Sequence, residues 1–172
     1  MAAVRDRYAG PLAVEGKETV MATDRIVVGV DGSAAAHAAV DWAVRHAQRL
    51  SAGLRLVAVW APTLPVAVPA VPLGAAPEPL SGGTAVDAAE RVARTALDDA
   101  ASRAAALGDR IERHLEPGEA GDVLVGHAEQ ADLLVLGNGR HGVLAGAVTG
   151  SVGQHCVRHA GCAVVLVPGA AG

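Results

Sequence analysis

Four apolar runs and one alternating stretch recur along this chain, each of strand length and each followed by a helical pattern or a turn. Ile26-Val27-Val28-Gly29-Val30, Leu54 to Trp60, Ala131 to Leu136 and Cys162 to Val167 are the apolar runs. A continuous run such as Ile26 to Val30 marks a strand buried on both faces of a parallel sheet. From Arg110 to Glu116, Ile111, Arg113 and Leu115 alternate with Glu112 and His114, the pattern of a strand nearer a sheet edge. Ala36, Ala39, Val40, Ala43, Val44, Ala47 and Leu50 recur at three and four residues, which predicts an amphipathic helix over Ala34 to Ser51, closed by Gly53. Val86, Ala89, Val92, Ala93, Ala96 and Leu97 predict a second helix, Thr84 to Leu107, that Gly108 terminates. A third, Glu119 to Gln130, carries Val123, Leu124 and His127, the last read as a helix-surface histidine, and a fourth runs from Ser151 to His159. Strands alternating with helices in this way predict an α/β fold, a three-layer open sandwich whose five-stranded, mainly parallel sheet has helices on both faces.

In such sheets ligands bind at the carboxyl ends of strands where the strand order reverses. Asp31 follows the first strand and Gly137 ends the fourth, so the two ends of the sequence are expected to build one site. The fourth strand leads into Gly137-Asn138-Gly139-Arg140-His141-Gly142, and Gly150-Ser151-Val152 then opens a helix. Glycines let backbone N–H groups approach a phosphate, and a helix N-terminus adds unpaired donors and the positive end of a dipole. The same glycines also fit a plain strand-to-helix connection. Likewise, Asp31-Gly32-Ser33 and Gly150-Ser151 each read either as a helix cap or as ligand-binding groups.

Composition narrows the function classes. The chain has 172 residues, enough for one domain with a full core. It is 51% hydrophobic, yet its aromatic residues are Tyr8, Trp42 and Trp60, so that core must be aliphatic. A net charge of −4 gives no general pull toward nucleic acid or an anionic membrane surface, and the lack of an aromatic stacking platform weighs further against single-strand binding. No apolar run is long enough to span a bilayer, and the first residues lack the order of a signal peptide, so the expected compartment is cytoplasmic. Cys156 and Cys162 fit no recognised zinc spacing and are read as buried, reduced thiols. Residues 1–24 lack a sustained period and are read as a flexible extension, with Met21 an alternative start. Ala61 to Gly83 carries six prolines and is read as a mobile connection. No Ser-His-Asp order, metal cluster or general base beside the phosphate loop is evident.

Taken together, these residues resemble the universal stress protein family over roughly Arg25 to Pro168. Ile26 to Ser33 matches its first strand and turn. Gly137 and Gly150-Ser151 match the first and last places of its nucleotide motif: Gly, two residues, Gly, nine residues, then Gly followed by Ser or Thr. His155, Arg158, His159, Cys162 and the strand ending in Val167-Pro168 resemble its closing segment. Arg140 stands where the motif has its middle glycine, and Gly139 lies one residue earlier. Either Arg140 is strained there and affinity suffers, or the loop shifts so that Gly139 and Gly142 supply flexibility and Arg140 a phosphate contact.

The resemblance implies an adenine nucleotide α-hydrolase-like domain over residues 25–169. It implies ATP as ligand, with or without Mg2+, and ADP as its counterpart. Asp31 would bond the ribose or adenine end, and Val30 and Val59 would face the base. Gly137, Gly139, Arg140 and Gly142 would wrap the phosphates, with Gly150, Ser151 and Val152 donating to them. The implied function is a nucleotide-responsive regulatory module in stress response, with at most slow incidental ATP hydrolysis. It would pair as a homodimer through the C-terminal edge strand and act on a protein partner, with no nucleic acid and no membrane. The alternative is a dimeric scaffold of the same fold that does not bind nucleotide.

Overall fold

The computed structural model describes residues 25–61, 85–139 and 150–169. The expected N-terminal extension, the start at Met21, residues 62–83 of the proline-rich connection, Arg140 and Gly142 lie outside them. Among the described residues, five strands alternate with four helices: β1 (Arg25–Val30), α1 (Ala34–Leu50), β2 (Gly53–Trp60), α2 (Ala85–Arg103), a 3-10 segment (Ala105–Arg110), β3 (Ile111–Pro117), α3 (Ala120–Ala128), β4 (Leu133–Asn138), α4 (Ser151–His159) and β5 (Ala163–Pro168). The strands form one sheet in the order β3-β2-β1-β4-β5, and every pairing is parallel.

The winding runs outward from β1 through β2 to β3, then returns to the other side of β1 for β4 and β5. Right-handed crossovers make such a reversal move the connecting helices to the opposite face. Accordingly, two apolar layers form. Ile26, Val28, Leu54 and Leu56 pack with Val40, Val44 and Leu97 under α1 and α2, while Val27, Val57, Leu134 and Leu136 pack with Leu124 and Cys156 under α3 and α4. Alternate residues of one strand thus serve opposite cores, as the period of a strand requires. Among the described residues, no buried side chain is polar or charged, and no helix is long and apolar enough to cross a membrane.

Alanine sets how closely α1 approaches the sheet. Ala35, Ala36, Ala39, Ala43 and Ala47 make up most of its buried stripe, with Val40 and Val44, so the helix backbone lies against β4. Gly137 faces that backbone. A Cβ built on it would stand 2.6 Å from Ala36 N and 2.7 Å from Ala35 O, well inside van der Waals contact. This contact corrects one sequence expectation: Gly137 does not end the fourth strand but lies inside it, paired with Val167. The strand tolerates glycine here because α1 occupies the space of a side chain. At the other end Asp132 stays outside the strand, its backbone N–H donating to Arg25 O at 3.0 Å and its Oδ2 accepting from Arg25 N–H at 2.9 Å.

Two further boundaries move. Ser51, not Gly53, caps the C-terminus of α1 in the left-handed region at φ 56. Ala52 then turns directly into the core, fully buried, and Gly53 is already strand. α2 ends at Arg103 rather than Leu107, because the following 3-10 segment tucks Leu107 into the core and Gly108 takes φ 58.

Candidate functional site

The reversal of strand order leaves an opening at the carboxyl ends of β1 and β4. A cavity of about 250 Å³ occupies it. Val30 and Asp31 enter from the end of β1, Val59 from β2, Gly137 and Gly139 from the end of β4, and Gly150, Ser151 and Val152 from the start of α4; all eight line the cavity. Arg140 and Gly142 lie outside the described residues.

Local chemistry shapes each wall. Ser33 caps α1, its Oγ accepting from Ala36 N–H at 3.1 Å, and Ser33 N–H donates to Asp31 Oδ1 at 2.9 Å. Gly32 supports this tight turn with φ 78, a value that favours glycine. Asp31 is therefore held in place by one carboxylate oxygen, and a carboxylate accepts at two.

Across the opening, α4 begins at Gly150, whose backbone is extended (φ −64, ψ 167) and supplies no side-chain cap. Gly150 O accepts the first helical bond, from Gln154 N–H at 3.0 Å. The N–H groups of the first turn are left without intrahelical partners, next to the positive end of the helix dipole. Among the described residues, a Cβ on Gly150 would meet nothing within 4 Å. The donor set is backbone amide on one side and apolar surface with one carboxylate on the other, and it suits an anion attached to a flat apolar group.

Several lining residues escape the sequence reading. Val57 lies two residues before Val59 and so shares its face, which a period of two would have exposed. Gly29 sits inside an apolar strand, a recognised sign of close approach. Ala120 and Leu124 of α3 also line the cavity, and their spacing of four places them on one helix face. That α3 reaches this wall depends on the winding, and no local pattern reports it.

The thiols stand apart from the cavity wall and are free, Cys156 buried and Cys162 half-buried. Burial pushes both up from the ordinary thiol value. His127 departs from the expected helix-surface position. Its side chain is only 12% exposed, folded over β2 and β3 to meet Glu116 and Arg55.

Comparison with known proteins agrees with this architecture. The model of the universal stress protein family matches residues 22–168. A universal stress protein of Mycobacterium tuberculosis is 33% identical over 158 residues, covering 83% of this chain and 47% of that protein. The chain spans about half the length of the curated relatives it matches. Among solved structures, a universal stress protein in complex with cAMP is 28% identical, with a TM-score of 0.63 over 86% of this chain and 98% of that one. A universal stress protein from Lactobacillus plantarum, 24% identical, has a TM-score of 0.64 over 84% of this chain and 97% of its own, and shares the fold. The α/β sandwich read from the alternation of strands and helices is thus the fold of these relatives, and the chain belongs to the universal stress protein family.

Proposed function

We propose that this chain binds an adenine nucleotide, ATP, in the cavity between β1 and β4 and acts as a nucleotide-responsive regulatory module in stress response. The observation that carries the reading is the pairing of an uncapped α4 N-terminus with glycine-lined strand ends around one opening. In this account the phosphates lie against Gly137, Gly139 and the first turn of α4, with Gly150, Ser151 and Val152 donating. Arg140 and Gly142 belong to the same phosphate loop. Asp31 bonds the ribose or adenine end, and Val30 and Val59 face the base. Mg2+ accompanies the triphosphate as its counter-ion. The complex of a 28% identical relative with cAMP supports an adenine nucleotide as the class of ligand.

The module is regulatory, with hydrolysis slow and incidental. It is cytoplasmic and works through a protein partner. β5 is an edge of the sheet, and edges are paired or covered in stable proteins. A homodimer through β5 follows, which light scattering checks; a monomer at micromolar concentration contradicts it. The domain spans residues 25–169.

Titration with a fluorescent ATP analogue tests the ligand assignment. Saturable binding is expected for the natural chain, and Gly150→Glu should abolish it by placing a carboxylate at the phosphate position. Because no atom of the described residues stands within 4 Å of a Cβ at Gly150, that variant should fold. Affinity unchanged in Gly150→Glu would overturn the site assignment.

A further inference from the structure

On the α3 side of the sheet, Glu112, His114 and Glu116 alternate along β3 and share one face. Their register partners on β2 are Arg55, Val57 and Val59. His127 descends onto this face from α3. Its Nε2 lies 2.8 Å from Oε1 of Glu116, and Nδ1 of His114 lies 3.6 Å from the same oxygen. The two imidazoles meet edge to face with centroids 4.8 Å apart. One ligand atom from each of His114, Glu116 and His127 lies within 4.8 Å of the others.

We infer that His114, Glu116 and His127 form a binding site for a divalent first-row transition-metal ion of the Zn2+ type. Two imidazoles and a carboxylate are the donors such an ion prefers. Ligand bonds of about 2.0–2.2 Å in a tetrahedron place ligand atoms roughly 3.3 Å apart. The separations from Glu116, 2.8 and 3.6 Å, straddle that value. The gap between the two histidines closes by rotation of His114, whose side chain is 34% exposed on the edge strand. Solvent reaches the fourth position from the same side.

The surrounding charges favour the ion. Arg55 is the guanidinium that touches the cluster, with Nη1 3.5 Å from Nδ1 of His127. It is already held by Glu112, Nε donating at 2.7 Å and Nη2 at 2.6 Å. With Arg55 paired to Glu112 in this way, the carboxylate of Glu116 is left to face the ion. Ligated through Nε2, His127 carries its proton on Nδ1, and the long Arg55 contact gives way while the pair with Glu112 stays. Ligated through Nδ1, His114 carries its proton on Nε2, 3.7 Å from Oε2 of Glu112. Glu112 is thus placed to orient His114, as carboxylates commonly orient metal-bound histidines. The ion would tie the edge strand β3 to α3, the helix whose Ala120 and Leu124 line the cavity.

Calorimetric titration of the chelator-stripped full chain with Zn2+, and with Mg2+ as the oxygen-preferring control, decides the matter. Saturable Zn2+ binding is expected, with Mg2+ giving no comparable signal. His114→Ala and Glu116→Gln should each weaken Zn2+ binding by more than about tenfold, the lower limit for loss of a mere orienting partner. His155→Ala, beside Asp122 on the α4 surface, should leave it unchanged. Absence of saturable binding would overturn the assignment. So would affinity that survives both His114→Ala and Glu116→Gln, or that falls with His155→Ala. Glu116→Gln preserves the shape of the side chain, so the answer stands even if a histidine variant fails to fold.

Discussion

Replacing Gly137 with alanine is expected to disturb both the sheet and the site, and the structure fixes the size of the effect. The added Cβ would sit 2.6 Å from Ala36 N and 2.7 Å from Ala35 O, with the carbonyl carbon of Ala35 as its nearest neighbour. All three are backbone atoms in the first turn of α1, so no rotamer change relieves the clash. Overpacking of this kind typically costs about 1–3 kcal/mol, and backbone contact places this case at or above roughly 3 kcal/mol. For a chain of this size each kcal/mol lowers the melting temperature by about 2–4 °C, so a fall of about 6–12 °C is expected. Gly29→Ala provides the contrast. Its closest contacts are Cδ2 of Leu136 at 2.7 Å and the Cδ atoms of Leu124 at 3.1 and 3.2 Å, all movable ends of side chains, and a cost at the low end of the overpacking range, about 1 kcal/mol, follows. Thermal unfolding followed by circular dichroism measures both. If Gly137→Ala melts with the natural chain, or Gly29→Ala is the more damaging, the account of α1 resting on a glycine of β4 is refuted.

Three further outcomes follow. Ser33→Ala removes the Oγ that caps α1 and should cost about 1 kcal/mol of unfolding free energy in urea; no change would mean that the cap contributes nothing. The hydrogen bond from Arg55 holds the Glu112 carboxyl below its ordinary value of 4.5, against the opposing effect of burial. A depressed folded value means that the stabilisation is present above 4.5 and lost as pH falls through the folded value. With chelator present, Glu112→Gln should melt below the natural chain at neutral pH, and the gap should close in acid; a constant gap would exclude the linkage. Burial raises both thiols further above an ordinary value that already lies above neutrality, and Cys156 is buried, so iodoacetamide should label Cys156 only after denaturation and Cys162 slowly. Rapid labelling of native Cys156 would contradict its packing under α4.

Local pattern carries the fold well where each strand reports its own surroundings. The unbroken apolar run of Ile26 to Val30 belongs to the central strand β1, and the mixed stretch from Ile111 belongs to an edge. The last strand, too, stands at an edge, as expected of it. Patterns fail where a distant contact decides. Gly137 reads as a strand terminator until α1 is seen lying on it, and Ser51 takes a backbone conformation that local preference assigns to glycine. His127 looks like a surface residue on α3 because nothing near it in sequence announces Glu116 and Arg55. The cavity shows the same division. Its glycines and Asp31 stand out as residue types at strand ends, whereas Ala120 and Leu124 reach it only because the winding reverses between β3 and β4.

The most direct test of the central claim is native mass spectrometry of the freshly purified chain, followed by titration with ATP. The account predicts a bound species with the mass of ATP or ADP, or saturation on titration, and loss of both in Gly150→Glu. A chain that stays empty at millimolar ATP would contradict it and leave a scaffold of the same fold.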